Sequence, residues 1–511
     1  MFSFIARRVA VGSVVLLGAT FIVFMMVAWA VDPLADLRTS NVPNKQFLIE
    51  QRTEALDLDM APVLRYFKWL GNVVAYLWGQ GTFGVAVTNG QPVADQLAVA
   101  VPTTLKLVSA SVVLAILLGV TVGIVTALRQ YSSFDYLTTF FTFLFYSLPA
   151  FWVAVLLKQF GAIRFNDFLA DPRVPIWAVA LVALAVGGLA AMVAAGRPRG
   201  RLIIGLVAFA GAAAVMGYIS ASNFLLEPGL GIVGVTLTGA GAAVALAALT
   251  AGLSNRRALW ASLSTVAVGA ALYFPLQYAF VHASWPVLLG LWATSAVVGV
   301  AAGLAWGGDD RFVSARTAAL TGLVMSVFVF ADRLMKAWPS YVGHPRVNGR
   351  PIGTLGAVTP ELGGTFWLSA TDVLTHLVLP TTALVLISFA SYTRYTRASM
   401  LEVMNADYIR TARAKGLGER TVVVRHAFRN ALIPLATVIP IDIALIFGGA
   451  IITERIFSWR GMGTMFIEAL RQGEIYSVMG YFLVTAALAI SANIVADLIY
   501  AGLDPRIRVN A

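Results

Sequence analysis

Cysteine is absent from the 511 residues. That removes thiol nucleophiles, Cys-ligated zinc, iron–sulfur clusters and disulfides, and with them any argument about redox compartment. Histidine is nearly as scarce: the only four are His282, His344, His376 and His426, and none forms the HExxH pairing that a membrane metalloprotease places on one helical face. No GxxxxGK[ST] phosphate loop occurs, so this chain is not expected to bind ATP itself. Charge is thin as well, with 12% charged residues against 59% hydrophobic ones. A mean hydropathy of +0.81 is far too apolar for an ordinary soluble domain, and such a chain belongs in a bilayer.

The net charge of +11 would suit nucleic acid only if it were clustered on a soluble surface. Here the basic residues punctuate apolar stretches, where the positive-inside rule accounts for them and no nucleic-acid partner is expected. Arg7-Arg8 precedes an apolar run at 9–31 that can cross a hydrocarbon core of about 30 Å at about 1.5 Å per residue. No A-x-A-like cleavage site comes before Asp32-Pro33, so the run reads as a retained first helix rather than a signal peptide. Further stretches of bilayer length lie near 103–127, 137–157, 175–195, 202–222, 230–252, 259–281, 285–306, 315–335, 373–392, 434–453 and 478–501, twelve candidates in all with the first. Runs of this length without period-two alternation are helical, and the fold expected is an all-α polytopic membrane protein.

With Arg7-Arg8 inside, alternation puts Arg129, the Arg197/Arg199/Arg201 cluster, Arg256-Arg257, Arg311, Arg316, the whole of 394–430 and Arg506/Arg508 on the cytoplasmic side, and both termini with them. The short loops 223–229 and 282–284, on the other side, carry no Lys or Arg. The weakest span is 315–335, because Asp332 and Arg333 lie near its end. Lys106 and Asp135, at span ends, read as snorkelling or interfacial. Two long stretches do not span: 32–102, an external folded element, and 393–433, strongly basic and cytoplasmic.

Within that basic stretch, residues 400–415 favour helix, Gly416 and Gly418 break it, and a second basic amphipathic run reaches Pro434. This reads as a helix–turn–helix at the membrane surface, with Gly416 allowing a left-handed C-terminal turn. Ala412 and Ala414 are small enough for close approach to a partner, and Arg410, Arg413 and Lys415 supply charge for an acidic rim. The plain alternative is a basic helix lying on anionic lipid.

The segment resembles the cytoplasmic coupling loop of the permease subunits of bacterial binding-protein-dependent ABC importers, in their dipeptide/oligopeptide/nickel branch. Arg410-Thr411-Ala412 stands where the general signature has Glu-Ala-Ala, while Asp407-Tyr408 and the ARAKG run at 412–416 are similar to the peptide branch's own form. Other stretches resemble the same family in the same order. They are the opening up to Asp32-Pro33, FGVAVTNGQPVADQLAVAVPTTLKL, the SLPAFW around Pro149, ITERIFSWRGMGTMF with Glu454, Gly461 and Gly463, and the NIVADLIYAGLDPRIRV end with Asp497. In the fourth of these, Arg455 and Arg460 replace the usual threonine and proline. The resemblance covers roughly 1–165 and 371–511. It implies a six-helix core of the type I importer fold, its N-terminal half at 1–165 and its C-terminal half at 371–511, with about six extra spans inserted at 166–370.

That resemblance further implies a transport subunit rather than an enzyme, forming half of a pathway for peptides or similar small solutes in the bacterial inner membrane. Its expected partners are a second permease, two ATPase subunits, an external solute-binding protein and membrane lipid. It carries no cofactor or metal itself; ATP and Mg sit on the ATPase subunits. Asp407, Tyr408, Arg410, Thr411, Ala412, Lys415 and Gly416 are the expected coupling residues, and Pro149, Asp442, Glu454, Gly461, Gly463 and Asp497 the pathway or gate candidates. Intramembrane carboxylates such as Asp442 and Asp497 are costly and usually face a protein interior or cavity, either as an ion or proton site or simply as interhelical hydrogen bonds. The inserted spans are rich in Ala, Gly and Val with almost no buried charge, which suits close packing in a scaffold. Two other classes stay open from the residues alone. A secondary transporter would need a repeat and a charged midplane site; a polytopic membrane enzyme would need an acidic cluster, for which Asp309-Asp310 is the available pair.

Overall fold

The computed structural model describes residues 2–503 apart from Val42 and Ala195. The Asp504-Pro505-Arg506 tail and Arg508 lie outside the described residues. Among the described residues there is no β-strand, only an isolated antiparallel bridge between Val85 and Pro92. Where hydrocarbon offers no hydrogen bonds, the helix pairs every backbone group within its own segment, which is why apolar runs this long take no other form.

The helices are α1 Phe2–Ala30, α2 Ala35–Thr39, α3 Lys45–Ala55, α4 Pro62–Tyr76, α5 Val93–Leu128, α6 Ser133–Ser147, α7 Ala150–Leu156 and, after a π-helical stretch, α8 Phe165–Ala170. Next come α9 Ile176–Val193, α10 Pro198–Ala221, α11 Gly231–Thr250, α12 Arg256–Ala271, α13 Tyr273–Ala279, α14 Trp285–Trp306 and α15 Arg311–Val342. The C-terminal stretch holds α16 Phe366–Met404, α17 Asp407–Ala414, α18 Glu419–Thr421, α19 Phe428–Ile456, α20 Met462–Gln472 and α21 Ile475–Leu503. Among the described residues ten helical stretches are long and apolar enough to cross a membrane, or up to twelve if each of two bent pairs is one span. The protein is multi-pass.

Several elements depart from their apolar runs for identifiable reasons. α5 begins at Val93, not 103, because Pro92 supplies an extended residue ahead of it and the first turns carry Asp95 and Gln96, which a hydropathy window discounts. The run 137–157 is not one straight helix. α6 and the α7–α8 stretch meet at 102°, where Leu148 and Pro149 are both extended, since proline pushes the residue before it out of the helical region. α12 and α13 likewise meet at 53°. α15 runs 32 residues straight through Asp332 and Arg333, and α16 runs 39, about 58 Å at ~1.5 Å per residue. It therefore extends well past a hydrocarbon core.

The chain divides into two compact units, one of residues 1–161, 354–357 and 377–511, the other of 162–353 and 358–376. In the first unit α1, α4, α20 and α21 close around Phe24, Tyr66, Trp69 and Met479, and the Tyr66 hydroxyl lies 2.9 Å from Thr20 Oγ1. In the second, α11, α12 and α15 pack Val235, Ala243, Val266, Met325 and Val329 together. The 166–370 stretch does bury a charge: Asp332, fully buried on α15, accepts from the Leu230 and Gly231 amides at 2.8 Å each and from the Tyr273 hydroxyl at 2.6 Å. It caps the N-terminus of α11, and Lys336 stands 3.1 Å away as its counter-charge.

Candidate functional site

The basic segment is built differently from a single helix over 400–415. α16 carries on to Met404, the chain turns at Asn405 and extended Ala406, and α17 is a separate helix of eight residues. Its inner face is set by two residues: Ile409, fully buried, and Ala412, 6% exposed, pack on Met400, Val422 and Ala427. Ala412 thus fits α17 against its own chain and is not available for close approach to a partner. Every other expected coupling residue faces outward, namely Asp407, Tyr408, Arg410, Thr411, Lys415 and Gly416.

α17 ends in a Schellman turn. Gly416 has φ +76°, its amide donates to the Arg413 carbonyl at 2.9 Å, and the Leu417 amide reaches the Ala412 carbonyl at 3.4 Å, the paired bonds that define this stop. Glu419 then closes the turn, accepting from Arg413 Nε at 3.1 Å and Nη2 at 2.7 Å. Those bonds hold the Glu419 carboxyl below its ordinary range and raise the Arg413 guanidinium. Asn430 at the start of α19 donates to the Tyr408 hydroxyl at 2.9 Å. Neither Glu419 nor Asn430 is evident as a partner in the sequence, because each is set by how the turn folds back.

Asp135 is the clearest missed residue. It is not interfacial but buried, 2% exposed, and forms an ion pair of 2.9 Å with Arg397 on α16 while accepting from the Tyr131 amide at 3.0 Å. The bond ties the start of α6 to α16 about two turns before the end of α16 at Met404. Lys106, by contrast, is exposed as expected.

The pathway candidates fall into two groups. Glu454, 1% exposed, accepts from Thr104 Oγ1 of α5 at 2.6 Å and from the Thr464 amide at 3.0 Å. The Thr104 hydroxyl in turn accepts from the Met462 amide at 2.8 Å. Together the two side chains satisfy the opening amides of α20, at the positive end of its dipole, and join α5, α19 and α20. Gly461 and Gly463 belong to the same construction. A Cβ on Gly461 would stand near Glu454 Oε1 and Thr104 Oγ1, and one on Gly463 would lie 2.6 Å from the backbone of Ile451. These three positions are a packed brace. Glu474 acts alike at the start of α21, receiving the Val87 and Thr88 amides at 2.7 and 2.6 Å.

Asp497 pairs with Arg8 across α1 and α21 at 3.1 Å, which is the interhelical arrangement and not an isolated carboxylate. Pro149 sits at the 102° bend. Asp442 is half-buried on α19 and interacts electrostatically with Tyr392 of α16, whose hydroxyl is buried without a hydrogen-bond partner. Asp310, of the acidic pair, accepts from the side-chain Nδ2 of Asn255 at 3.4 Å. Among the described residues no group of three or more His, Asp or Glu could hold a metal ion.

Residues 299–509 match the family of binding-protein-dependent transport system inner membrane components. The chain is 43% identical over 136 residues to the oligopeptide transport system permease protein AppB of Bacillus subtilis, covering 27% of this chain and 43% of that one. It is 37% identical over 198 residues to the oligopeptide transport system permease protein OppB of Mycobacterium bovis, 38% of this chain and 59% of that one. To the dipeptide transport system permease protein DppB of Escherichia coli it is 46% identical over 137 residues, 27% and 40%. Each match spans about half the length of the relative.

Proposed function

We propose that this chain, whose residues 299–509 match the family of binding-protein-dependent transport system inner membrane components, forms one half of the translocation pathway of an ATP-driven importer for peptides or similar small solutes. The observation that carries the reading is α17: a short helix between spanning helices, seated on its own chain by Ile409 and Ala412 and presenting Arg410, Arg413 and Lys415 outward. A helix used only to cover lipid would gain from an apolar exposed face, and this one exposes charge beside a rigid stop.

In this reading α17 docks in a cleft of an ATPase subunit, with its cations against an acidic rim. ATP and Mg are held there, since this chain has no phosphate loop. Closure of the ATPase pair displaces α17, and the displacement passes in two directions, back through the Asn405-Ala406 turn into α16 and forward through α18 into α19. The Arg397–Asp135 pair carries it on to α6. The importer then alternates between outward-open and inward-open states, each favoured by a different nucleotide state. A second permease completes the pathway, and an external solute-binding protein meets 32–102 and 454–477. The chain lies in the bacterial inner membrane with both termini cytoplasmic, and the spans of 166–370 form an accessory scaffold added to the six-helix core.

The test is to tag the chain, solubilise it gently from its own membrane and identify what co-purifies, beside a variant carrying Arg410→Glu and Lys415→Glu. Recovery of ATPase subunits and a second permease with the wild type, and loss of the ATPase alone with the variant, is the result expected. The chain recovered without an ATPase in both samples would overturn the reading.

A further inference from the structure

Among α12, α14 and α15 of the second unit lies a cavity of about 350 Å³. Its walls are aliphatic and aromatic. Apart from the indole nitrogens of Trp285 and Trp292, the polar side chains lining it are four hydroxyls, and all four donors are already used within their own helices. Thr265 donates to the Ala261 carbonyl at 3.0 Å, Thr294 to Gly290 at 2.8 Å, Ser295 to Trp292 at 2.7 Å and Ser326 to Leu323 at 2.7 Å. A buried water needs two to four polar partners, so the interior suits an apolar occupant and not solvent. The rim residues Leu289, Trp292 and Val327 are exposed, which opens the cavity sideways on the faces of spanning helices, where hydrocarbon has direct access.

One end is different in character. Phe280 and Phe330 line it, with Trp367 behind them at ring distances of 5.3 and 5.4 Å. The Arg333 guanidinium lies 5.7 Å from the centre of that indole, and its Nε is buried without a hydrogen-bond partner. A buried donor left unmade is costly, and here a cation stands behind the aromatic end, beside the turn before α14 where Trp285 occupies the position of a membrane-interface anchor.

We propose that this cavity binds one acyl chain of a bilayer phospholipid, with the phosphate held at the Arg333 end. The volume agrees: it is roughly twice the ~150 Å³ that accepts a benzene ring, enough for about a dozen carbons. The assignment requires the spanning helices but not the transport reading, so the two fail separately.

The full chain, reconstituted in nanodiscs containing phosphatidylglycerol with a diazirine in its acyl chain, is photolysed and the adducts are mapped by mass spectrometry. Adducts on Leu288, Leu291 and Met325 are expected in several-fold excess over those on the exposed Leu181, Leu184 and Leu206 of α9 and α10, which report ordinary lipid contact. Ser326→Phe, which fills the cavity, should remove the excess and leave the α9 and α10 adducts unchanged. Arg333→Gln should lower it several-fold. No excess in the wild type, or an excess that survives Ser326→Phe, overturns the proposal; an excess indifferent to Arg333→Gln overturns its phosphate end. Should a variant not fold, the wild-type ratio still decides.

Discussion

The brace around Glu454 and the turn around Gly416 sit in the same unit, and both depend on a glycine and a carboxylate at a helix end, yet their polar atoms go to opposite places. At the brace, Glu454 and Thr104 spend their oxygens on the amides that open α20, and Gly461 is there because nothing larger fits. On α17 the backbone is satisfied by its own Schellman bonds and the cationic side chains are left facing out. A buried group with every partner supplied by its own chain stabilises a conformation. An exposed set of charges on a helix held rigidly from below has its work elsewhere. Under the proposed function the difference sorts the candidate residues: Glu454, Gly461 and Gly463 are packed within the chain, while the exposed Arg410 and Lys415 are left for a partner.

The sharpest way to break that sorting is at the brace. Glu454→Ala strands the Thr464 amide and the Thr104 hydroxyl, and at about 1–3 kcal/mol for each buried donor left unpaired the loss is on the order of 2–6 kcal/mol. Gly461→Val overpacks the same spot at a cost of about 1–3 kcal/mol. The expected outcome is a lower midpoint for heat-induced aggregation in detergent, read by size-exclusion chromatography. An unchanged midpoint would return Glu454 to the gate candidates.

The converse experiment uses charge. Arg410→Glu with Lys415→Glu should leave that midpoint where it is, because both side chains are exposed. Solute-stimulated ATPase activity of the reconstituted importer should nonetheless drop by about tenfold or more, as like charges brought together at an interface cost at least the ~1.4 kcal/mol that a factor of ten represents. Loss of stability without loss of activity would place these residues with the brace.

Gly416→Ala falls between the two. A side chain at φ +76° is strained by about 1 kcal/mol, enough to fray the stop of α17 but not the unit. Partial loss of stimulated ATPase activity with a midpoint shift smaller than that of Glu454→Ala is expected, and Gly416→Asn, which tolerates the left-handed region better, should restore part of it.

How much of this can be read from the chain depends on whether the signal is local. The glycine stop at Gly416 and the outward charges of the basic segment follow from neighbouring residues, and the described helices bear them out; of the twelve apolar runs, ten appear as spanning helices among the described residues, and twelve are reached if each of two bent pairs is one span. Asp135 with Arg397 and Glu454 with Thr104 are separated by hundreds of positions, and nothing near either residue names its partner. Asp332 reads as a flaw in a span for the same reason: its partners at Leu230, Gly231 and Tyr273 come from elsewhere in the chain. The bend at Pro149 is permitted by the sequence, but its 102° needs Leu148 to be extended too.

The smallest effect is a titration at the turn. The Arg413 hydrogen bonds lower the Glu419 carboxyl from its ordinary value of 4.5, so the pair's contribution is complete above that value and fades as pH falls through the lower folded one. Both side chains are well exposed, and such pairs are weak and screened by salt. The effect should therefore be visible only locally, as hydrogen exchange of the Leu417 amide that closes the Schellman turn. Protection of that amide in the wild type relative to Glu419→Gln, compared at equal pH, should exceed one near neutrality and fall to one once Glu419 is protonated. A ratio that stays flat through that range would mean that the backbone bonds and Gly416 alone hold the stop of α17.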